Sequence, residues 1–210
     1  MSRSRRTAIG VAVLSAALVG PLGAAAQASA APAPAKVSAA SAPAQVQIQA
    51  GKQLSIKRQM QQRDWWCVPA VVRAMLSMHR SGSRLPTQSQ LAGHMHTTKK
   101  NGTTSRAALQ TLNQVAGRHI YDFNTAGSSS RLLSEIKASI NRKHGVYASV
   151  WSNHTPWQKG GSKEGHAILA YGYSGNTIFW WDPADNSNHK ASAAASYSAL
   201  KARGMTFVTG

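Results

Sequence analysis

Apolar residues in this chain keep helical spacing as far as about residue 141, then change to short continuous runs from Val146 onward. That switch of period, from 3.6 to 2, constrains the fold more than any single residue does. Val68, Val71, Val72, Met75, Leu76 and Met78 predict a helix over about 67–80, closed by Ser81-Gly82, with Pro69 in the first turn where a missing N–H costs nothing. A short helix is expected from Thr87 (TQSQLAGHM). Another is expected over about 104–116, carrying Leu109, Leu112 and Val115 and ending at Gly117. A fourth follows Ser128-Ser129-Ser130, with Leu132, Leu133, Ile136 and Ile140 on one face before Gly145. Then come strand patterns at 146–151, 166–173 and 177–181, the last two joined by Ser174-Gly175-Asn176, and a final one at 205–208. Helices first and an antiparallel sheet second is the segregated α+β pattern.

Cys67 is the only cysteine, so an intrachain disulfide and a thiolate-rich zinc site are both excluded. Stability has to come from a core, and a chain that is 42% hydrophobic and 14% charged can build one. Residues 1–30 read as a secretory signal peptide: Arg3, Arg5 and Arg6, an apolar run from Ala8 to Val19, then Ala28-Ser29-Ala30 as a small-residue cleavage site. Arg5-Arg6 leaves a twin-arginine route open beside the general one. Residues 31–51, rich in Ala, Pro and Ser, read as a linker or short pro-segment, and 52–210 as one folded domain. No run reaches the roughly 20 apolar residues of a spanning helix. Of the 24 basic residues only Arg3, Arg5, Arg6 and Lys36 precede residue 52, so 20 face 6 acidic ones in the domain, a formal +14. Such an excess suits an anionic surface such as a cell-wall polymer and is consistent with a secreted or wall-associated protein; it says nothing about fold. No signature of specific nucleic-acid binding accompanies it, and oligomeric state is not readable.

Cys67 opens the first predicted helix, where free N–H groups and the macrodipole favour a thiolate. The dipole supplies about 0.3–1 kcal/mol, less than one pKa unit at about 1.36 kcal/mol. That cannot ionise a thiol at neutral pH, whereas an imidazolium partner can. A catalytic Cys67 therefore needs a histidine. His166 opens an apolar strand whose hairpin partner ends in Asp182-Pro183, and a base needs such a third group to hold its tautomer. If Tyr173 pairs with Thr177, Ile168 opposes Asp182 and His166 becomes its diagonal neighbour on the same face. A plain two-residue turn flips Asp182 away, so an odd-length loop or a bulge is expected at 174–176, and pairing of Ser174 with Thr177 would defeat this register. Gln61, with Gln59 and Gln62 as rivals, could join the Cys67 N–H in holding an oxyanion.

Gln61 before Trp66-Cys67, then Gly165-His166 and Asp182-Pro183, resembles the papain-like cysteine peptidases, in the branch of the bacteriocin-exporter leader peptidases (peptidase family thirty-nine of the cysteine class) and their secreted relatives. Weaker similarity runs through Thr87-Gln88, Leu91-Ala92, Gly102-Thr103 and Leu112-Asn113. The resemblance implies a two-lobed papain-like fold with the site in the cleft. It also implies peptide hydrolysis by Cys67, His166 and Asp182 with Gln61 in the oxyanion hole, a peptide or protein substrate, and no cofactor or metal. Val68 departs from the small residue usual after the nucleophile. Two other readings stand beside it: a wall amidase or endopeptidase acting on peptidoglycan stem peptides, and a cationic binding module without catalysis. His94-x-His96 lacks a third ligand nearby. Asp182 to Asn188 lacks the bidentate Glu and turn Gly of a calcium loop. Trp65-Trp66 and Trp180-Trp181 could line a groove or simply pack. Lys99-Lys100 and Arg142-Lys143 read as solvated helix ends.

Overall fold

The computed structural model describes residues 51–210; the signal-peptide assignment, and the linker assignment apart from Gly51, lie outside the described residues. The chain runs β1 (Lys52–Gln53), α1 (Cys67–Leu76), α2 (Gln88–His94), α3 (Ser105–Ala116), β2 (Asp122–Asn124), α4 (Ser129–Asn141), β3 (Val146–Trp151), β4 (Gly165–Ser174), β5 (Thr177–Asp182), β6 (Ser187–Ser192), α5 (Ala193–Ala202) and β7 (Phe207–Thr209). All strand pairs are antiparallel, in the order β2-β7-β3-β4-β5-β6, with β1 added beside β4. No helix among the described residues is long and apolar enough to cross a membrane.

β3 and β4 read as continuous apolar runs because helices cover both faces of the sheet. On one face Tyr147, Ala167, Leu169 and Trp181 meet Val71, Val72, Met75 and Leu76 of α1 and Leu112 of α3. On the other, Ala148, Val150, Ile168 and Trp180 meet Leu132, Ile136 and Ile140 of α4 and Leu200 of α5. Side chains at neighbouring positions therefore enter different cores, and a one-residue slip in register would exchange them.

Four elements were not expected: the short strands β1 and β2, and then β6 and α5. β6 (SNHKAS) has one buried residue, Ala191, and exists because its backbone completes the ladder to β5 at the sheet edge. α5 has no apolar stripe to read, being alanine-rich, but Ser192 caps it by accepting the Ala195 N–H. A helix thus follows the sheet, so the segregation of helices before strands is incomplete.

The expected hairpin register needs correcting. Ser174 pairs directly with Thr177 around a two-residue turn, Gly175-Asn176, and the bulge lies further along, between Ala170 and Gly172. That bulge absorbs Tyr171, so Ala170 meets Trp180 and Leu169 meets Trp181, which leaves Ile168 facing Asp182 after all. The local turn rule predicted the wrong place for the extra residue; the facing of Asp182 is the same. Gly172 makes the bulge possible, because a Cβ there would lie 2.8 Å from the Lys52 carbonyl and 2.8 Å from a Phe179 ring carbon. Gly172→Ala is expected to cost about 1–3 kcal/mol by overpacking. Gly93→Ala, where a Cβ meets nothing within 4 Å of its position in α2, is expected to gain about 0.5–1 kcal/mol. Urea denaturation of the two variants checks both signs.

Candidate active site

α2, α3, α4 and α5 each have a Thr or Ser cap, at Thr87, Thr104, Ser128 and Ser192, that accepts an orphan N–H of the first turn. α1 does not. Its N-cap is Trp66, which makes no side-chain bond, and no acidic residue follows in its first turn. The amide donors at Cys67 are left for something else, at the one helix start that carries the cysteine.

The segment leading into α1 is fastened at two points. The Gln61 N–H donates to the Pro183 carbonyl (2.9 Å), tying it to the end of β5. Gln88, buried in α2, accepts the Gln62 N–H through Oε1 (3.0 Å) and donates through Nε2 to the carbonyls of Met60 (2.9 Å) and Gln59 (3.3 Å). Gln88 is a positioning residue that sequence reasoning passed over. The signal was there, in an amide placed on an otherwise apolar helix face.

His166 Nε2 and Asp182 Oδ1 lie 2.7 Å apart, with side chains only 10% and 9% exposed. The same carboxylate oxygen accepts the Ala184 N–H at 2.8 Å, which holds it in place. Cys67 is near enough to act on the charge of His166, and with Nε2 taken by Asp182 the other ring nitrogen is the one left for sulfur. Burial works against a charged imidazole here. The bond to Asp182 and its carboxylate charge, with Cys67 adding to them, outweigh it and push His166 up to about 10.

Cys67, His166, Asp182 and Gln61 all line one cleft of about 870 Å³. Gln61 lines it and its rivals Gln59 and Gln62 do not. One amide proton of Gln61 is taken by the Asp64 carbonyl (2.8 Å); the second is free for an oxyanion. Val68 is buried and borders the cleft. The floor includes Tyr147, whose hydroxyl bonds Ser105 Oγ at 3.1 Å; burial foremost pushes Tyr147 up to about 12, so it stays a neutral donor. Tyr147, Ser105 and Arg203 are cleft residues that the sequence did not single out.

The remaining sequence features sort simply. Trp65 lines the cleft, while Trp180 and Trp181 are core. Lys99-Lys100 does not end a helix: it sits in the tight turn closed by Thr98 and Gly102, on the cleft rim. Arg142 follows α4 and donates to the Gly210 carbonyl. Among the described residues, neither His94 nor His96 gathers with other ligand types. The set Asp182, Asp185 and His189 does, but Asp182 is engaged by His166 and Asp185 by His189 at 3.0 Å.

Comparison with known proteins gives the same picture. Residues 53–205 match the model of the Peptidase_C39 like family. No curated protein sequence matches the chain. Among solved structures, a C39-like peptidase from Bacillus anthracis shares the fold at TM-score 0.55 and 12% identity, over 76% of this chain and 97% of that one. The peptidase domain of Streptococcus ComA, a bifunctional ABC transporter of a quorum-sensing pathway, superposes at TM-score 0.49 with 18% identity, over 73% and 96%. Bromelain from Ananas comosus does so at TM-score 0.49 with 13% identity, over 73% and 93%. With a matching family model over most of its length and the α+β, papain-like fold around a Cys–His pair, the chain belongs to the Peptidase_C39 like family and is a cysteine-type peptidase.

Proposed function

We propose that the protein is a secreted peptidase in which Cys67, His166, Asp182 and Gln61 carry out peptide-bond hydrolysis. The observation that supports this most is the His166 imidazole bonded to Asp182 and sharing one cleft with Cys67, which opens an uncapped helix. The Cys67 sulfur, as thiolate, attacks the scissile carbonyl carbon. The oxyanion so formed is held by the Cys67 N–H and the free Gln61 amide proton. Collapse breaks the C–N bond, and His166 gives its proton to the departing amine. Water then attacks the thioester, losing a proton to His166, and release of the acid restores the ion pair. Asp182 keeps Nε2 occupied, which fixes the ring so that its other nitrogen meets sulfur and then the amine.

Export fits residues 1–30, and the +14 domain would keep a secreted enzyme near anionic wall polymer, where stem peptides are one available substrate. A wall amidase would share the nucleophile and base but act on those peptides alone. A binding module without chemistry would be indifferent to Cys67→Ala.

Labelling with a thiol-directed peptidyl electrophile tests the ion pair. Cys67 should react faster than free cysteine near pH ~6, below the ordinary thiol range, and His166→Ala should abolish the advantage; equal rates would defeat the assignment. On a mixed peptide library, His166→Ala should lower kcat by about 10²–10⁴ and Gln61→Ala by about 10²–10³ with KM little changed. If fragments arise only from peptidoglycan stem peptides, the amidase reading replaces the general one.

The same contacts set a pH dependence of stability. His166 is raised from 6.5 to about 10 in the folded state, so its contribution is fully present below pH 6.5 and is lost as pH climbs through about 10. Between pH 7 and 10 the Tm of the wild type should therefore fall more than that of Asp182→Asn, in which the main partner of the imidazolium is gone. Parallel melting curves of the two proteins would show no such difference if the pair were unimportant.

A further inference from the structure

The reaction uses Cys67 and His166 but leaves a guanidinium beside them unexplained. Arg203 follows the last turn of α5 and lines the same cleft. Its Nε donates to Ser149 Oγ at 2.8 Å, and its guanidinium carbon lies 4.0 Å from the centre of the Trp151 ring. Trp151 is itself fixed to this turn, its indole N–H donating to the Ala202 carbonyl at 3.0 Å. On the third side is Gly165, the residue before His166: a Cβ there would come within 2.5 Å of Arg203 Nη2. The group is thus stacked, tethered and walled.

Its other four N–H donors have no acceptor among the described residues, and none of them is sealed from solvent. Neither does it pair with an acid there. Asp182 and Asp185 are held by His166 and His189, while Glu164, exposed and adjacent to Gly165, stays beyond ion-pair distance. Arg203, Tyr147 and the Cys67 nucleophile line the same cleft. A planar fork with its Nη donors open fits a carboxylate through two parallel bonds. Stacking on Trp151 has already removed much of the side-chain freedom that binding would otherwise cost.

We propose that Arg203 is the specificity residue for a carboxylate on the leaving-group half of the peptide, supplied by an acidic side chain next to the scissile bond or by the chain's terminal carboxylate. The leaving-group half is favoured because Arg203 abuts the residue before His166, the group that protonates the departing amine. This rests on the peptidase reading above and names the substrate class it takes.

The test measures binding to the full-length Cys67→Ala protein by fluorescence anisotropy, so that it does not depend on turnover. Peptides carrying Glu, Gln or Lys at each position in turn are compared, and each is made with a free or an amidated C-terminus. Acidic peptides should bind about tenfold to a hundredfold tighter than their amide counterparts. Arg203→Gln should erase that preference, and Arg203→Lys should keep only a small part of it. Arg118→Gln, which removes the same charge from an exposed site elsewhere, should leave it intact. The Glu–Gln pairs and the acid–amide termini report the two carboxylate sources separately. Thermal melting checks folding; should Arg203→Gln be unfolded, the charge-keeping Lys variant supplies the comparison. An acidic preference that is missing, that survives loss of the fork, or that falls equally in Arg118→Gln overturns the proposal. Wild-type cleavage of the same peptides separates the two ideas. Binding that depends on Arg203 without any cleavage would remove the reaction and leave the site. Cleavage indifferent to the carboxylate would do the reverse.

Discussion

The hydrogen bond between His166 and Asp182 depends on a single irregularity in the sheet, and much of the site depends on that bond. With the tight turn at Gly175-Asn176, an unbroken ladder would place Asp182 opposite Leu169, which points into the core under α1. The bulge at Tyr171 moves the pairing by one and brings the carboxylate opposite Ile168, on the His166 face. The bulge can form because Gly172 has no side chain to meet β1 and Phe179. Gly172, six residues from the imidazole, thus sits at the irregularity that brings the two partners to one face. The two aromatic cores reinforce that choice. Trp180 and Trp181 enter opposite faces, and a slip that misplaced Asp182 would also misplace both.

The other wall is organised by what α1 lacks. Four helices meet their orphan amides with Ser or Thr, whereas α1, begun at Trp66, has no side-chain cap. Omitting a cap costs about 0.5–2 kcal/mol. The burial of Val71, Val72, Met75 and Leu76 in the main core readily offsets that amount. Packing holds the helix, so its N-terminus need not be stabilised by a cap. Gln88 then does for the preceding segment what a cap does for a helix, answering three backbone groups with one amide.

What could be read in advance follows from how far each signal reaches along the chain. α1 to α4 were legible from helical apolar spacing or a Thr or Ser start, and β3 to β5 from short apolar runs bounded by turn residues, while β1 and β2 are too short to show a pattern. β6 and α5 were not, since a polar edge strand draws its order from β5 and an alanine-rich helix shows no stripe. Cys67, His166, Asp182 and Gln61 were legible as a set, through spacing and resemblance, and they share one cleft. The location of the bulge was not legible: Ser174-Gly175-Asn176 fits a three-residue turn as well as a two-residue one. The choice is made by packing at Gly172, which involves β1, some 120 residues earlier in the chain. Arg203 was hidden for the same reason, as its place beside Gly165 is purely tertiary.

The charge balance gains a different meaning once its geography is known. Four of the six acidic residues, Asp64, Glu164, Asp182 and Asp185, line the cleft, and the remaining two are paired locally, Asp122 with His119 and Glu135 with Arg131. The wider surface is therefore left almost wholly basic. At physiological salt its field decays over about 8 Å, so it has little weight inside the cleft. There, contacts under 3 Å dominate: Asp182 favours a charged His166 that burial would otherwise disfavour. The few carboxylates of this basic domain are thus concentrated in the cleft that Cys67 and His166 share.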